Sequence, residues 1–169
     1  MVRVILVGPM GVGKTTIGKI LADELHLPFF DSDKEIESRA GADIPWIFDV
    51  EGERGFRERE SRILDELTSL NESIVLATGG GIVLSPDNRK RLISRGRVVY
   101  LTASLKHLLQ RTSRDKKRPL LQTDNPAKVL EAVLEIRDPL YREIAEVIVS
   151  TENKNPKHVA KEIIHLLDI

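Results

Sequence analysis

Eight residues near the start of the chain, Gly8-Pro9-Met10-Gly11-Val12-Gly13-Lys14-Thr15, satisfy the pattern GxxxxGK[ST]. They follow a short β-branched run and precede a segment of helical period, the setting in which such a loop wraps an anion. Small residues let successive backbone N–H groups curl around phosphate oxygens, and the helix start adds its partial positive charge. Gly11, Val12, Gly13 and Thr16 are therefore expected to meet a nucleotide's phosphates, with Lys14 bridging the terminal ones. The Thr15 hydroxyl is the kind of hard oxygen donor that Mg²⁺ takes alongside phosphate oxygens. By residue frequency alone, such a match arises in about 0.5% of chains this long.

A phosphate loop does not say what receives the phosphoryl group, since motors, switches and small-molecule kinases share it. A motor or switch usually ends a strand in a carboxylate that holds Mg²⁺, yet here the third strand candidate runs out in Ala77-Thr78-Gly79-Gly80-Gly81. Asp49-Val50-Glu51-Gly52 matches a loose DxxG but sits in a helical region, and Asn153-Lys154 lacks the aspartate that would read guanine. Three successive glycines suggest close backbone approach to a ligand, with an ordinary loop as the alternative. Asp31-Ser32-Asp33 follows the second strand candidate. Its carboxylates suit a helix start, and beside a phosphate loop one of them can orient a substrate hydroxyl, accept its proton and hold a water on Mg²⁺. Ser32 with Glu35 reads as a capping box.

The helix expected from about Arg54 to Leu67 has an inward stripe of Phe56, Ile63 and Leu67 that Glu60 interrupts. Arg57, three residues earlier, can pair with Glu60 and grip an anion, or the two form an ordinary surface pair. Arg137 lies on a later helix that Pro139 is expected to break. From Arg111 to Arg118 there are five basic residues and one acid. With no aromatic for base stacking, this stretch reads as a closing lid over about 112–123.

These residues need a scaffold. The strand candidates are Val2–Val7, Pro28–Phe30, Ser73–Thr78, Arg97–Thr102 and Glu146–Ser150, alternating with helical stripes such as Ile17, Ile20, Leu21 and Leu25. That alternation predicts an α/β parallel sheet with helices on both faces. At 169 residues and 41% hydrophobic, a single domain with a full core is expected. Zero net charge argues against a general nucleic-acid or membrane binder, and the lack of cysteine removes disulfides, thiolate metal sites and a cysteine nucleophile. The apolar start is too short for a signal peptide and no stretch is long enough to span a membrane, so a cytoplasmic protein is expected.

Taken in order, GPMGVGKTT, FFDSD, IFDVEGERGFRERE, ATGGGIVL, KKRPLL and RDPLYRE resemble the shikimate kinase family over essentially the whole chain. The resemblance implies a P-loop three-layer sandwich similar to the nucleoside monophosphate kinases. Its five-stranded parallel sheet would have the order 2-3-1-4-5, with an acceptor-binding helical region at about 32–62. It implies ATP-dependent phosphorylation of shikimate at its 3-hydroxyl, with Mg²⁺ as cofactor and the protein as a monomer. Transferred by position, Asp33, Arg57, Gly79, Gly80, Gly81 and Arg137 bind shikimate; Lys14, Asp33 and Arg118 are catalytic; and Arg111, Arg118, Asn155 and Pro156 join the nucleotide site. Thr15, with Asp33 through water, holds the metal. A gluconate or nucleoside monophosphate kinase, or a non-catalytic ATP-binding regulator, is the alternative.

Overall fold

Parallel strands joined by helices are covered on both faces, so they can be apolar throughout rather than alternating. The computed structural model, which describes residues 1–113 and 123–169, has five such strands. In chain order the elements are β1 (Arg3–Val7), α1 (Lys14–Leu25), β2 (Phe29–Asp31), α2 (Ser32–Ala40), α3 (Ile44–Thr68), β3 (Ile74–Ala77), a 3₁₀ turn (Ile82–Leu84), α4 (Pro86–Arg95), β4 (Arg97–Thr102), α5 (Leu105–Thr112), α6 (Pro126–Ile144), β5 (Val147–Ser150) and α7 (Pro156–Leu167). The sheet order is β2-β3-β1-β4-β5, with every neighbouring pair parallel, as the resemblance implied.

Successive strand residues face opposite layers. Val4 and Leu6 of β1 join Ile17 and Leu21 of α1 and Val159 and Ile163 of α7 on one side of the sheet. Ile5 and Val7 meet Ile36 of α2, Ile63 and Leu64 of α3, Leu92 of α4 and Tyr141 of α6 on the other. Register then sets the site. Leu6 pairs with Ala77, Asp31 also pairs with Ala77, and Val7 pairs with Tyr100. The ends of β1, β2, β3 and β4 therefore meet at one edge, where the chain order reverses about β1 and ligands of open α/β sheets collect.

Three local expectations change. The cap of α2 is Asp31, not Ser32: the Asp31 carboxylate accepts from the backbone N–H of Asp33 and Lys34, while Ser32 is buried and its Oγ accepts from Gly79 N–H at 3.0 Å. The long helix begins at Ile44 and bends at Gly52, whose φ of 73° and ψ of 176° are non-helical. Pro139 does not break its helix, since α6 runs unbroken to Ile144. Pro139 and Glu135, whose carbonyl loses its partner, are both exposed, so water can take that bond, while Arg137, Tyr141 and Ile144 are buried and hold the last turns. Lid residues 114–122, Arg118 among them, lie outside the described residues; Thr112 itself ends α5. No helix among the described residues is long and apolar enough to cross a membrane.

Because the helix already continues through position 139, Pro139→Ala should stabilise the protein by about 2 kcal/mol. Interior proline costs about 3 kcal/mol against alanine, less roughly 1 kcal/mol for the stiffer unfolded chain. Urea unfolding of both proteins reads this directly, and a variant no more stable than the parent contradicts a continuous α6.

Candidate active site

A helix start that must receive an anion cannot also be capped by its own side chain. Among the described residues α1 alone has no side-chain cap, its N-cap being Gly13 in the left-handed region at φ 106°; α2, α3, α4, α5, α6 and α7 are capped by Asp31, Asp43, Ser85, Ser104, Asn125 and Asn155. The N–H groups at the start of α1 thus remain free of a side-chain cap beside the Gly8–Thr15 loop. Lys14 Nζ donates to Gly8 O at 2.6 Å and to Pro9 O at 2.8 Å, which folds the ammonium over the loop. Behind the loop, the buried Thr151 hydroxyl donates to Val12 O at 2.9 Å. This anchor ties the loop to the chain after β5.

The loop opens into a cleft of about 300 Å³ lined by Gly11, Lys14, Thr15, Thr16, Asp33 and Gly79, among others. Two bonds join its walls. Thr15 Oγ1 donates to Asp31 Oδ2 at 2.7 Å, and Asp31 Oδ1 accepts from Asp33 N–H at 3.0 Å. Arg111 also lines the cleft and lies over the phosphate loop, its Nη1 3.5 Å from where a Cβ on Gly13 would sit. Asn155 and Pro156 instead cap and begin α7, and they are not among the residues lining this cleft.

The three glycines form a shelf that charged side chains press against. A Cβ on Gly79 would lie 2.5 Å from Asp33 Oδ1 and 3.1 Å from Glu60 Oε2; one on Gly80 would face Arg137 Nη1 at 3.5 Å and Tyr141 Oη at 3.6 Å; one on Gly81 would overlap the Arg57 guanidinium. The structure therefore gathers Asp33, Arg57, Gly79, Gly80, Gly81 and Arg137 around one turn, and adds Glu60 and Tyr141. Asp33, Gly79 and Gly80 line the cleft, whereas Arg57, Glu60 and Gly81 line a second hollow of about 410 Å³. Arg137 is buried and lines neither.

Charge in this cluster is unevenly matched. Arg57 Nη1 donates to Glu60 Oε1 at 2.8 Å, and Glu60 is only 1% exposed. Burial pushes the Glu60 carboxyl up to about 7, against the pull of Arg57, with Asp33 adding to the rise. Burial lowers Arg137 from its usual range, and the nearby Arg57 cation lowers it further, while Glu60 opposes this. Both guanidinium groups are thus partly stripped of water beside one another, a setting that an anionic ligand relieves.

Sequence reading placed the helix cap one residue late and so passed over the Thr15–Asp31 bond. It also missed Tyr141 and Thr151. The signal for Tyr141 was its four-residue spacing from Arg137, one helical turn; Thr151 left no local signal, since its contact spans 139 positions.

Glu60 carries a pH prediction. With the native carboxyl near 7 and a usual value of 4.5, the native state holds the proton more tightly. The resulting stabilisation is complete below about pH 4.5 and is lost as pH rises through 7. Relative to Glu60→Gln, the wild type should lose roughly 3 kcal/mol between pH 4.5 and 8 at most. Urea midpoints at a series of pH values measure it, and a flat difference assigns the titration elsewhere.

Comparison with known proteins identifies the family. The family model described as shikimate kinase matches residues 10–168. The chain is 59% identical over 167 residues to a shikimate kinase of Pseudomonas paraeruginosa, covering 99% of this chain and 96% of the relative. It is 57% identical over 166 residues to one of Vibrio parahaemolyticus, covering 98% and 96%. A solved shikimate kinase from Acinetobacter baumannii, in complex with shikimate, superposes with a TM-score of 0.96 at 51% identity, covering 99% of this chain and 93% of that one. A gluconokinase from Sinorhizobium meliloti shares the fold alone, at 18% identity and a TM-score of 0.66 over 99% and 91% of the two chains. A match of this extent, over a chain whose phosphate loop and charged glycine shelf meet at one sheet edge, makes this protein a member of the shikimate kinase family.

Proposed function

We propose that the chain transfers the γ-phosphoryl group of ATP to the 3-hydroxyl of shikimate, giving shikimate 3-phosphate and ADP. The observation that carries this is the gathering of Arg57, Arg137 and Asp33 on a glycine shelf beside the phosphate loop. Two cationic forks suit a planar carboxylate, while a neutral sugar would leave buried positive charge unpaired. The related Acinetobacter baumannii enzyme, solved with shikimate, supports the same acceptor.

Roles follow from position. The backbone of Gly11, Val12, Gly13 and Thr16 and the Lys14 ammonium hold the ATP phosphates, and Lys14 exchanges its bonds to Gly8 O and Pro9 O for phosphate oxygens. Arg111, which overlies the loop, is assigned to the nucleotide, and Asn155 and Pro156, at the start of α7, are assigned to its adenine end from the family resemblance. Arg118, which lies outside the described residues, is assigned to the transferring phosphoryl group from its place in KKRPLL. Arg57 and Arg137 grip the acceptor carboxylate, Gly79, Gly80 and Gly81 let the ring approach, and Asp33 orients the 3-hydroxyl and takes its proton.

The donor set also fits a magnesium site. Thr15 Oγ1 and the Asp31 carboxylate stand 2.7 Å apart at the cleft wall, hard oxygens of the kind that hold Mg²⁺ directly or through water, with the Asp33 carboxylate on the same wall. A Mg²⁺ held by these oxygens would supply positive charge against the ATP phosphates.

A coupled ADP-release assay with shikimate, gluconate and AMP in parallel tests the acceptor. Turnover only with shikimate is expected, and faster turnover of either competitor refutes it. Asp33→Asn should lower kcat by roughly 10² to 10⁴, the usual worth of a positioned general base. Arg57→Ala should raise KM for shikimate about tenfold or more, the loss of one charged hydrogen bond, with KM for ATP far less changed.

A further inference from the structure

Arg137 and Tyr141 lie one turn apart on α6 and so share a face. Tyr141 is fully buried. Its hydroxyl donates to Gly80 O at 2.5 Å, and that hydroxyl and Arg137 Nη1 crowd the same glycine, 3.6 and 3.5 Å from where a Cβ on Gly80 would sit. Its ring rests against that of Tyr100, with centroids 4.8 Å apart, a contact of rings that does not need the Tyr100 hydroxyl, which donates away from the site to Asp138 Oδ1 at 2.6 Å. The phenol is therefore held from the ring side and aimed at two groups of the acceptor site.

The chemical identity of this partner matters. Arg137 is 7% exposed, and among the described residues no carboxylate forms an ion pair with it, in contrast to Arg57, which has Glu60 and Glu53. A carboxylate in place of the phenol would have cancelled the guanidinium charge. Burial holds the Tyr141 hydroxyl well above its usual range, so it stays neutral and orients Arg137 without neutralising it. The full positive charge remains for a ligand.

We propose that Tyr141 is a positioning residue for the acceptor's carboxylate, its hydroxyl joining the Arg137 fork to the Gly80 carbonyl and so setting the cation's place above the glycine shelf. This rests on the reading of the chain as a shikimate-phosphorylating enzyme. Tyr141 lines neither hollow; it acts through Arg137 and Gly80. Acid acceptors gain from a fixed fork, whereas uncharged ones gain nothing from it, so the same bond contributes to selectivity for the acid.

The test compares wild type, Tyr141→Phe, which keeps the ring, and Tyr100→Phe, which removes the other hydroxyl of the same ring pair but leaves Arg137 and Gly80 alone. Each is assayed with shikimate and with its methyl ester, which lacks the charge, and shikimate binding is measured by calorimetry. Tyr141→Phe should raise KM and Kd for shikimate about tenfold, the loss of a hydrogen bond to a charged group, with kcat within about threefold and KM for ATP unchanged. Its preference for acid over ester should shrink by a similar factor. Tyr100→Phe should leave all of these as in the wild type. In an Arg137→Lys background, which removes the fork but keeps a cation, Tyr141→Phe should cost little more, and this arm decides the matter if the single variant folds poorly. Unchanged acid preference in Tyr141→Phe, an equal rise in KM for ATP, the same effect from Tyr100→Phe, or full additivity with Arg137→Lys overturns the proposal. A wild type active on another acceptor but inert toward shikimate overturns the functional reading itself, and this proposal with it.

Discussion

Two guanidinium groups, two carboxyl groups and a three-glycine turn occupy one small volume at the end of β3, and the site depends on how that charge is tolerated. Removing an ion from water costs several kcal/mol unless partners repay it. Glu60 repays Arg57 through a 2.8 Å contact, and Tyr141 sets a neutral hydroxyl beside Arg137 at Gly80. Among the described residues Arg57 is ion-paired while the buried Arg137 has no carboxylate in contact, a charge in a partly dry place that an anion of matching shape can settle.

The scaffold supplies rigidity on one side and open polar groups on the other. Apolar side chains of β1 fill both layers, and Thr151 pins Val12 O from across the sheet edge. Side-chain caps close the starts of six described helices, while α1 begins at a glycine. Gly13, Lys14, Thr15 and Asp31 line the same cleft because the register of β1, β2 and β3 brings their last residues level. Asp31 links these parts: one carboxylate oxygen orders the start of α2, and with it Asp33, while the other meets Thr15.

Most of this was legible in the residues. The phosphate loop, the five apolar runs and the Arg57–Glu60 spacing each depend on neighbours within a few positions, and each is found where the pattern puts it. The sheet order came from the family resemblance, since no local pattern encodes it. What escaped were matters settled by tertiary contact. Ser32 resembled a cap, yet its hydroxyl is taken by Gly79 47 positions away, leaving the cap to Asp31. Pro139 had every local mark of a helix end, and packing of Tyr141 and Ile144 overrode it. Arg137 was singled out by the family resemblance and not by any pattern on its own helix; the structure buries it against the glycine shelf.

The crowding of the glycine shelf bears on inhibitor resistance. Enzymes commonly escape a drug by trading one pocket residue for a bulkier one, but at positions 79 and 81 even a single methyl group collides with Asp33 or Arg57. A compound seated against that backbone would press on a wall that point mutation cannot thicken without dislodging one of those two charged side chains.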